Sequence, residues 1–384
     1  MSLHRIPIER VKRVVVKVGS NVLTAGPGLN LRVLRDLAHQ VCGLMDRGLE
    51  VILVSSGAMA SGIRKIGLER RPDELPKRQA VAAVGQAGLI MEYEKVFERY
   101  GRKVAQILLT SEDLASRKRY LNARNTLNTL LDWHIVPIIN ENDTVSIQEI
   151  KFGDNDNLAA MITLLMDADL LIILSDIDGL FTRDPRTDPS AELIPVVSAI
   201  TRETEKAAGS IPGPLGTGGM TSKLTAARKV NSAGVPMVVA KGDTSGILTR
   251  ILAGEPRGTY FVPRPQKLNR RKCWIAFSLK PKGVLTVDAG ARRAVACGGK
   301  SLLASGIVGV KGEFAVGAPV EFQGPEGDTI GIGLVNYSAA DIRRVMGLKS
   351  QHIQQVLGQK PYDEVVHRDN LVITAPVETE PGKE

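Results

Sequence analysis

The chain is poor in the residues that build disulfide frameworks, metal clusters and membrane spans. Three cysteines occur in 384 residues, Cys42, Cys273 and Cys297, and none forms a C-x-x-C pair. An odd, scattered set of this kind excludes a disulfide framework and offers no zinc site. The five histidines are equally dispersed and H-E-x-x-H is absent, so no metal-ligand set is assigned from sequence. No apolar run approaches the roughly 18–20 residues of a membrane span. The opening MSLHRIPIERVKR carries no apolar h-region, so no signal peptide is expected. The expected setting is a reducing cytoplasm, with no membrane partner.

What is present is a chain long enough for two domains or one large one, with 43% hydrophobic residues. The formal net charge of +9 favours acidic partners such as nucleotides, polyphosphates or RNA. Strand-like apolar runs at 13–18, 51–54, 104–109, 135–139, 170–174 and 235–240 alternate with helical spacing from Leu31 to Met45 and over 76–100, 121–132 and 157–166. The helix over 76–100 is expected to break around Gly85 and Gly88. Such alternation predicts an α/β fold, a three-layer α/β/α sandwich on a mostly parallel open sheet. Ligands bind such sheets at the carboxyl ends of the strands.

Polar residues gather at those ends. The stretch Asn140–Asn157, NENDTVSIQEIKFGDNDN, sets two clusters of amides and carboxylates between apolar segments. It reads as a site for a small polar ligand, or as an Asx-rich turn. Lys17, in RVVVKV before Gly19-Ser20-Asn21, is either an edge-strand lysine or a phosphate ligand. Ser55-Ser56-Gly57 ends the second strand. It is no nucleophile elbow, since Val54 replaces the first glycine of G-x-S-x-G; it is a helix cap or an anion cradle. The loop GSIPGPLGTGGMTSK at 209–223 puts Lys223 in the first turn of a helix, where a cation is disfavoured unless an anion is bound. It is not a Walker A loop, because Ser222 and Leu224 flank that lysine.

Around 262–272 the composition turns to proline and basic residues, which marks an interdomain linker. Short β-like runs follow, predicting a small barrel-like β domain. Residues 267–300 hold nine lysines or arginines against Asp288, with Trp274 and Phe277 among them. That is either a base-stacking surface or a solvated basic face beside core aromatics.

The motifs VVVKVGSNVLT, VSSGAMASG, INENDTVS, KFGDNDNLAA and GTGGMTSK, in this order, resemble the glutamate 5-kinases of the amino acid kinase family over about residues 10–262. The region from RKCWIAF to VNYSAADIRRVMG resembles a PUA domain, a module that binds RNA elsewhere. The implied organisation is a kinase domain over 1–262, a linker over 263–272, a PUA domain over 273–357 and a disordered tail over 370–384. The resemblance implies ATP-dependent phosphorylation of the γ-carboxylate of L-glutamate in proline biosynthesis, with Mg²⁺ and feedback inhibition by L-proline. It also implies homo-oligomers and RNA as a partner of the PUA domain. Carried over by position, Lys17 and Lys223 are catalytic, and an aspartate of the GDND cluster, Asp156 or else Asp154, joins them by holding the lysines or the metal. Lys17, Ser175, Asp176, Thr217, Gly218, Gly219, Met220, Thr221, Ser222 and Lys223 bind ATP. Ser56, Gly57, Asn140, Asp143, Asp154 and Asn155 bind glutamate. Ser222 and Ser20 stand where the family often has threonine; both keep the hydroxyl. The rivals are a kinase of the same fold acting on another carboxylate or carbamate, and an RNA-binding protein with a vestigial kinase domain.

Overall fold

The computed structural model describes residues 10–25, 28–145, 155–209, 219–265 and 268–374. Asp154, Thr217 and Gly218 lie outside the described residues. The chain divides into two compact units, Met1–Lys267 and Leu268–Glu384.

The first unit is built on strands β1 (Arg13–Val18), β2 (Glu50–Ser55), β3 (Val104–Leu109), β4 (Val136–Glu141), β5 (Leu170–Ser175), β6 (Val196–Val197), β7 (Met237–Lys241) and β8 (Thr259–Phe261). They form one sheet in the order β3-β4-β2-β1-β5-β7-β8-β6. The run from β3 to β7 is parallel, and β8 turns antiparallel on β7. Besides two short helical turns, Ser20–Leu23 and Ser111–Ala115, the helices among the described residues are α1 (Leu31–Asp46), α2 (Ala58–Ile66), α3 (Leu75–Glu98), α4 (Arg117–Asp132), α5 (Asn155–Leu165), α6 (Arg202–Gly209), α7 (Met220–Ser232) and α8 (Ile247–Leu252). Covering both faces buries β1, β2 and β5 almost throughout, which is why these strands read as continuous apolar runs.

Alternation along the strands decides which layer each side chain meets. Val14, Val16 and Val18 pack with Val51 and Leu53 against α1, α3 and α8. Lys17 falls in the other phase, toward the layer that holds α5 and α7. The helix α1 starts where Asn30 accepts the Val33 N–H, and it buries Leu34, Leu37, Ala38, Val41 and Leu44 at helical spacing.

The expected break near Gly85 and Gly88 does not occur: α3 runs unbroken from Leu75 to Glu98. The glycines serve close packing. A Cβ on Gly85 would stand 1.7 Å from the Ala58 carbonyl oxygen, and one on Gly62 would stand 1.9 Å from the Val81 carbonyl oxygen. Two glycines facing each other let α2 and α3 touch backbone to backbone.

The second unit carries β9 (Val284–Val287), β10 (Ile307–Lys311), β11 (Pro319–Gln323), β12 (Thr329–Leu334) and β13 (Leu371–Ile373), in the order β10-β9-β11-β12-β13. A ladder of Leu302–Leu303 with Glu364–Val366 shares one core with this sheet, through Leu285, Val320, Phe322, Leu302, Val365 and Val366. Two sequence-based boundaries are corrected. Residues 270–272, placed in the linker, open the helix α9 (Arg270–Ser278), where Asn269 caps Lys272. Residues 371–373, placed in the tail, pair with β12 because Leu371 and Val372 are buried. No helix among the described residues is long and apolar enough to cross a membrane.

Candidate active site

The site is assembled at the carboxyl ends of the central strands. Lys17 is the fifth residue of β1, in register with Val54 of β2 and Ile173 of β5. With a strand on each side, β1 is no edge, so an edge-blunting role for this lysine falls away. Its ammonium Nζ lies 2.6 Å from Asp156 Oδ1, and Lys223 Nζ lies 3.0 Å from Asp156 Oδ2. The Asp156 side chain is fully buried, and those of Lys17 and Lys223 are 7% and 6% exposed. Ser222 Oγ, one residue before Lys223, is 2.7 Å from the same Asp156 Oδ2.

Taking three charges out of water costs several kcal/mol each unless geometry offsets it. Here it does. Burial by itself raises the Asp156 pKa, but the Lys17 and Lys223 charges, with hydrogen bonds from Lys17 and Ser222, reverse this and hold the carboxyl well below the usual range. Asp156 also sits in the first turn of α5, where the helix dipole favours an anion. Near the start of α7, Lys223 meets the same positive field, which disfavours a cation, and Asp156 offsets it. The two ammonium groups and one carboxylate sum to a single positive charge, a charge balance suited to an incoming anion.

A second cluster stands beside the first. The amide nitrogen of Asn155 is 2.9 Å from the Ser55 carbonyl oxygen, from Ser56 Oγ and from Asn140 Oδ1. Asn140 Oδ1 also accepts the Glu141 N–H at 2.9 Å. Gly57 adopts a left-handed φ of 99° at the start of α2, a turn that favours glycine. Asp143 follows in the turn after β4 and is half-buried. The structure thus gathers Ser56, Asn140 and Asn155, with Gly57 next in the chain.

A third group ends β5. Ser175 is buried. Asp176 accepts from Asn21 Nδ2 at 3.0 Å and from Ser175 Oγ at 3.1 Å. Burial raises the Asp176 pKa, but the hydrogen bonds from Asn21, its own backbone and Ser175, with the Lys223 charge, lower it below the usual value. Gly219 is extended and precedes α7, while Thr221 is exposed. The Met220 side chain is buried, which leaves its backbone N–H at the helix start as the group it can offer a ligand. Sequence reasoning missed two partners. Asn21, named only as part of the turn after β1, holds Asp176, and Tyr93, 2.9 Å from Ser55 Oγ, carries no local signal at all.

The amino acid kinase family is matched over residues 12–241, and the PUA domain over residues 283–357. The chain belongs to the amino acid kinase family. Among curated relatives, the glutamate 5-kinase of Geobacter sulfurreducens (strain ATCC 51573 / DSM 12127 / PCA) is 52% identical over 367 residues, covering 95% of this chain and 98% of that protein. The glutamate 5-kinase of Syntrophus aciditrophicus (strain SB) is 50% identical over 366 residues, covering 95% of each. Among solved structures, carbamate kinase from Giardia lamblia bound to AMP-PNP aligns with a TM-score of 0.50 at 16% identity, covering 67% of this chain and all of that one. That likeness concerns the amino acid kinase fold. As a member of this family with a C-terminal PUA domain, the chain is a kinase, and ATP is its phosphoryl donor.

Proposed function

We propose that this amino acid kinase transfers the γ-phosphoryl group of ATP to the γ-carboxylate of L-glutamate, giving L-glutamyl 5-phosphate for proline biosynthesis. The observation that carries the reading is the buried Lys17–Asp156–Lys223 triad at the strand ends, with contacts of 2.6 and 3.0 Å. The near end-to-end similarity to glutamate 5-kinases supports the choice of acceptor.

The chemistry asks little of a base. A carboxyl of pKa ~4.3 is already ionised at neutral pH, so the acceptor oxygen needs no proton removed. What remains is positioning and charge stabilisation in line. Asp156 fixes both ammonium groups where negative charge develops on the phosphates, so they need not reorganise during transfer. Ser56, Asn140 and Asn155 offer hydroxyl and amide groups that suit the polar ends of an amino acid, with Gly57 and Asp143 nearby in the chain, and Asp154 is assigned to the same substrate on the family resemblance. Ser175, Asp176, Gly219, Met220, Thr221 and Ser222, with Thr217 and Gly218, hold the nucleotide.

Mg²⁺ would arrive with ATP and neutralise its phosphates. No cluster of three metal-ligating side chains occurs among the described residues, and both Asp156 oxygens face lysines. Phosphate oxygens and water, the usual Mg²⁺ ligands, would therefore supply most of its shell, and Asp176, held by Asn21 and Ser175 at the end of β5, is a carboxylate that could join them. L-proline would act as an inhibitor; relief by saturating glutamate would place it at the glutamate site, and persistence would place it at a separate one. The PUA domain supports RNA as a further partner, with Arg270, Arg271 and Lys280 exposed. Trp274 is partly buried and packs against Ile275, Ile332 and Val372, which favours its reading as a core aromatic beside a basic face. Homo-oligomers are carried here on the family resemblance.

The deciding experiment is ATP turnover with Mg²⁺ and L-glutamate, trapping the acyl phosphate with hydroxylamine. L-aspartate, N-acetylglutamate and carbamate run in parallel. Hydroxamate from glutamate and from none of the others is the expected result. Acyl phosphate from another acceptor, or none in folded protein that still binds ATP, would overturn the reading.

A further inference from the structure

Beneath the paired serines lies a buried hydroxyl for which the proposed chemistry has no use. Tyr93 is in α3, which packs on the sheet face opposite to Lys17. Tyr93 is fully buried, and its phenolic oxygen is 2.9 Å from Ser55 Oγ. Ser55 Oγ in turn donates to the Ser56 carbonyl oxygen at 3.0 Å. Since the serine proton is committed there, the proton between the two hydroxyls is that of Tyr93. Burial pushes the Tyr93 hydroxyl up to about 12, so it stays protonated and able to donate at any physiological pH. The relay runs from Tyr93 to Ser55 to the Ser56 carbonyl, and both serines meet Asn155 on their other side at 2.9 Å.

Packing by itself does not fix Ser55. A small cavity lined by Ser55, Gln86, Leu89, Gln106 and Asn140 adjoins it. The same helix reaches across with Gln86, whose Nε2 is 3.4 Å from the Glu141 carbonyl oxygen and whose Oε1 accepts from Gln106 at 3.1 Å. So α3 braces the end of β2 through Tyr93 and the end of β4 through Gln86.

We propose that Tyr93 is a positioning residue for the acceptor substrate, setting the Ser56–Asn155–Asn140 cluster from behind through Ser55. The inference rests on the glutamate reading above. Tyr93 works from the layer opposite the lysines, so its loss weakens acceptor binding and spares phosphoryl transfer.

The test is steady-state kinetics of the full chain, varying L-glutamate and ATP separately. Wild-type turnover of glutamate comes first, so failure of the substrate reading shows before any variant is made. Tyr93→Phe keeps the ring and removes the hydroxyl. It is expected to raise KM for glutamate about three- to tenfold, the size of one hydrogen bond, with kcat and KM for ATP unchanged. Ser55→Ala breaks the same relay, so the double variant is expected to be no worse than Ser55→Ala. A purely structural role would instead lower the folded fraction, and with it kcat, at constant KM. An unchanged KM for glutamate, equal rises in both KM values, or additive effects in the double variant would each overturn the proposal. If Tyr93→Phe does not fold, Ser55→Ala decides by the same KM comparison.

Discussion

The single carboxylate of Asp156 has large leverage, because two buried cations depend on it. Asp156→Asn keeps the shape and deletes the charge, leaving the Lys17 and Lys223 side chains, 7% and 6% exposed, without their shared anion. Removing one partner of a buried ionic group typically costs roughly 3–5 kcal/mol, so a fall in the urea midpoint is expected along with loss of turnover. The pH dependence has a definite sign. The folded Asp156 carboxyl is held well below the usual range. Its stabilisation is therefore complete above the unfolded pKa of about 3.9 and is lost as pH falls below that toward the folded value. Wild type should lose stability below about pH 4 more steeply than Asp156→Asn, and parallel acid-unfolding curves would refute that. Lys17→Ala and Lys223→Ala are each expected to cut kcat by ~10²-fold or more, as loss of a preorganised electrostatic donor does. A near-wild-type kcat in either would remove that lysine from the mechanism. These residues were legible in sequence because each is out of place locally: a lysine inside an apolar strand, a lysine in a helix's first turn, a carboxylate between apolar segments. The contact Asn21–Asp176 was not legible, since a hydrogen bond across 155 residues leaves no local pattern.

Among the elements, α3 shows why reading propensity alone fails. Gly85 and Gly88 predicted a break, since glycine weakens a helix by about 1 kcal/mol relative to alanine. The helix pays this cost and stays whole, because Gly85 lets α2 approach. Glycines in two helices separate the effects. Gly43, exposed in α1 with nothing within 4 Å of an added Cβ, has no such duty. Gly43→Ala is expected to stabilise by about 0.5–1 kcal/mol through propensity. In Gly85→Ala the same propensity gain is opposed by a Cβ placed 1.7 Å from the Ala58 carbonyl oxygen and 2.6 Å from the Gly62 nitrogen. Backbone atoms cannot rotate away, so a net destabilisation of roughly 2 kcal/mol is expected, in the range for overpacking. Urea midpoints that move the same way in both variants would show that the helix contact is looser than this. The long parallel strands were legible for the opposite reason: burial on both faces writes itself into sequence as a run of valine, isoleucine and leucine. Short strands such as Leu302–Leu303 and Glu364–Val366 had too few residues to show a period.

For the whole molecule the decisive feature is that each unit has its own core. One is gathered around β1, β2 and β5 with Tyr93 and Phe97, the other around Leu285, Val320, Phe322 and Val366. The composition shift around 262–272 announced a division, but it could not show that helical structure resumes at Arg270 or that the second unit runs on to Ile373. Separate cores make separate cooperative units. Calorimetry of the full chain is therefore expected to resolve two transitions. The two should also respond differently to ligand, because a ligand stabilises only the unit it binds, by RT ln(1 + [L]/Kd). Saturating ATP with Mg²⁺ at about 100 times Kd would add about 2.7 kcal/mol to the kinase unit, raising its midpoint by several degrees while the PUA transition stays in place. A short RNA should do the reverse, and its effect should fade as salt rises, because phosphate contacts release counterions. A single transition that moves as one body with either ligand would mean that the units unfold together, and that occupancy of the kinase site is felt in the PUA domain.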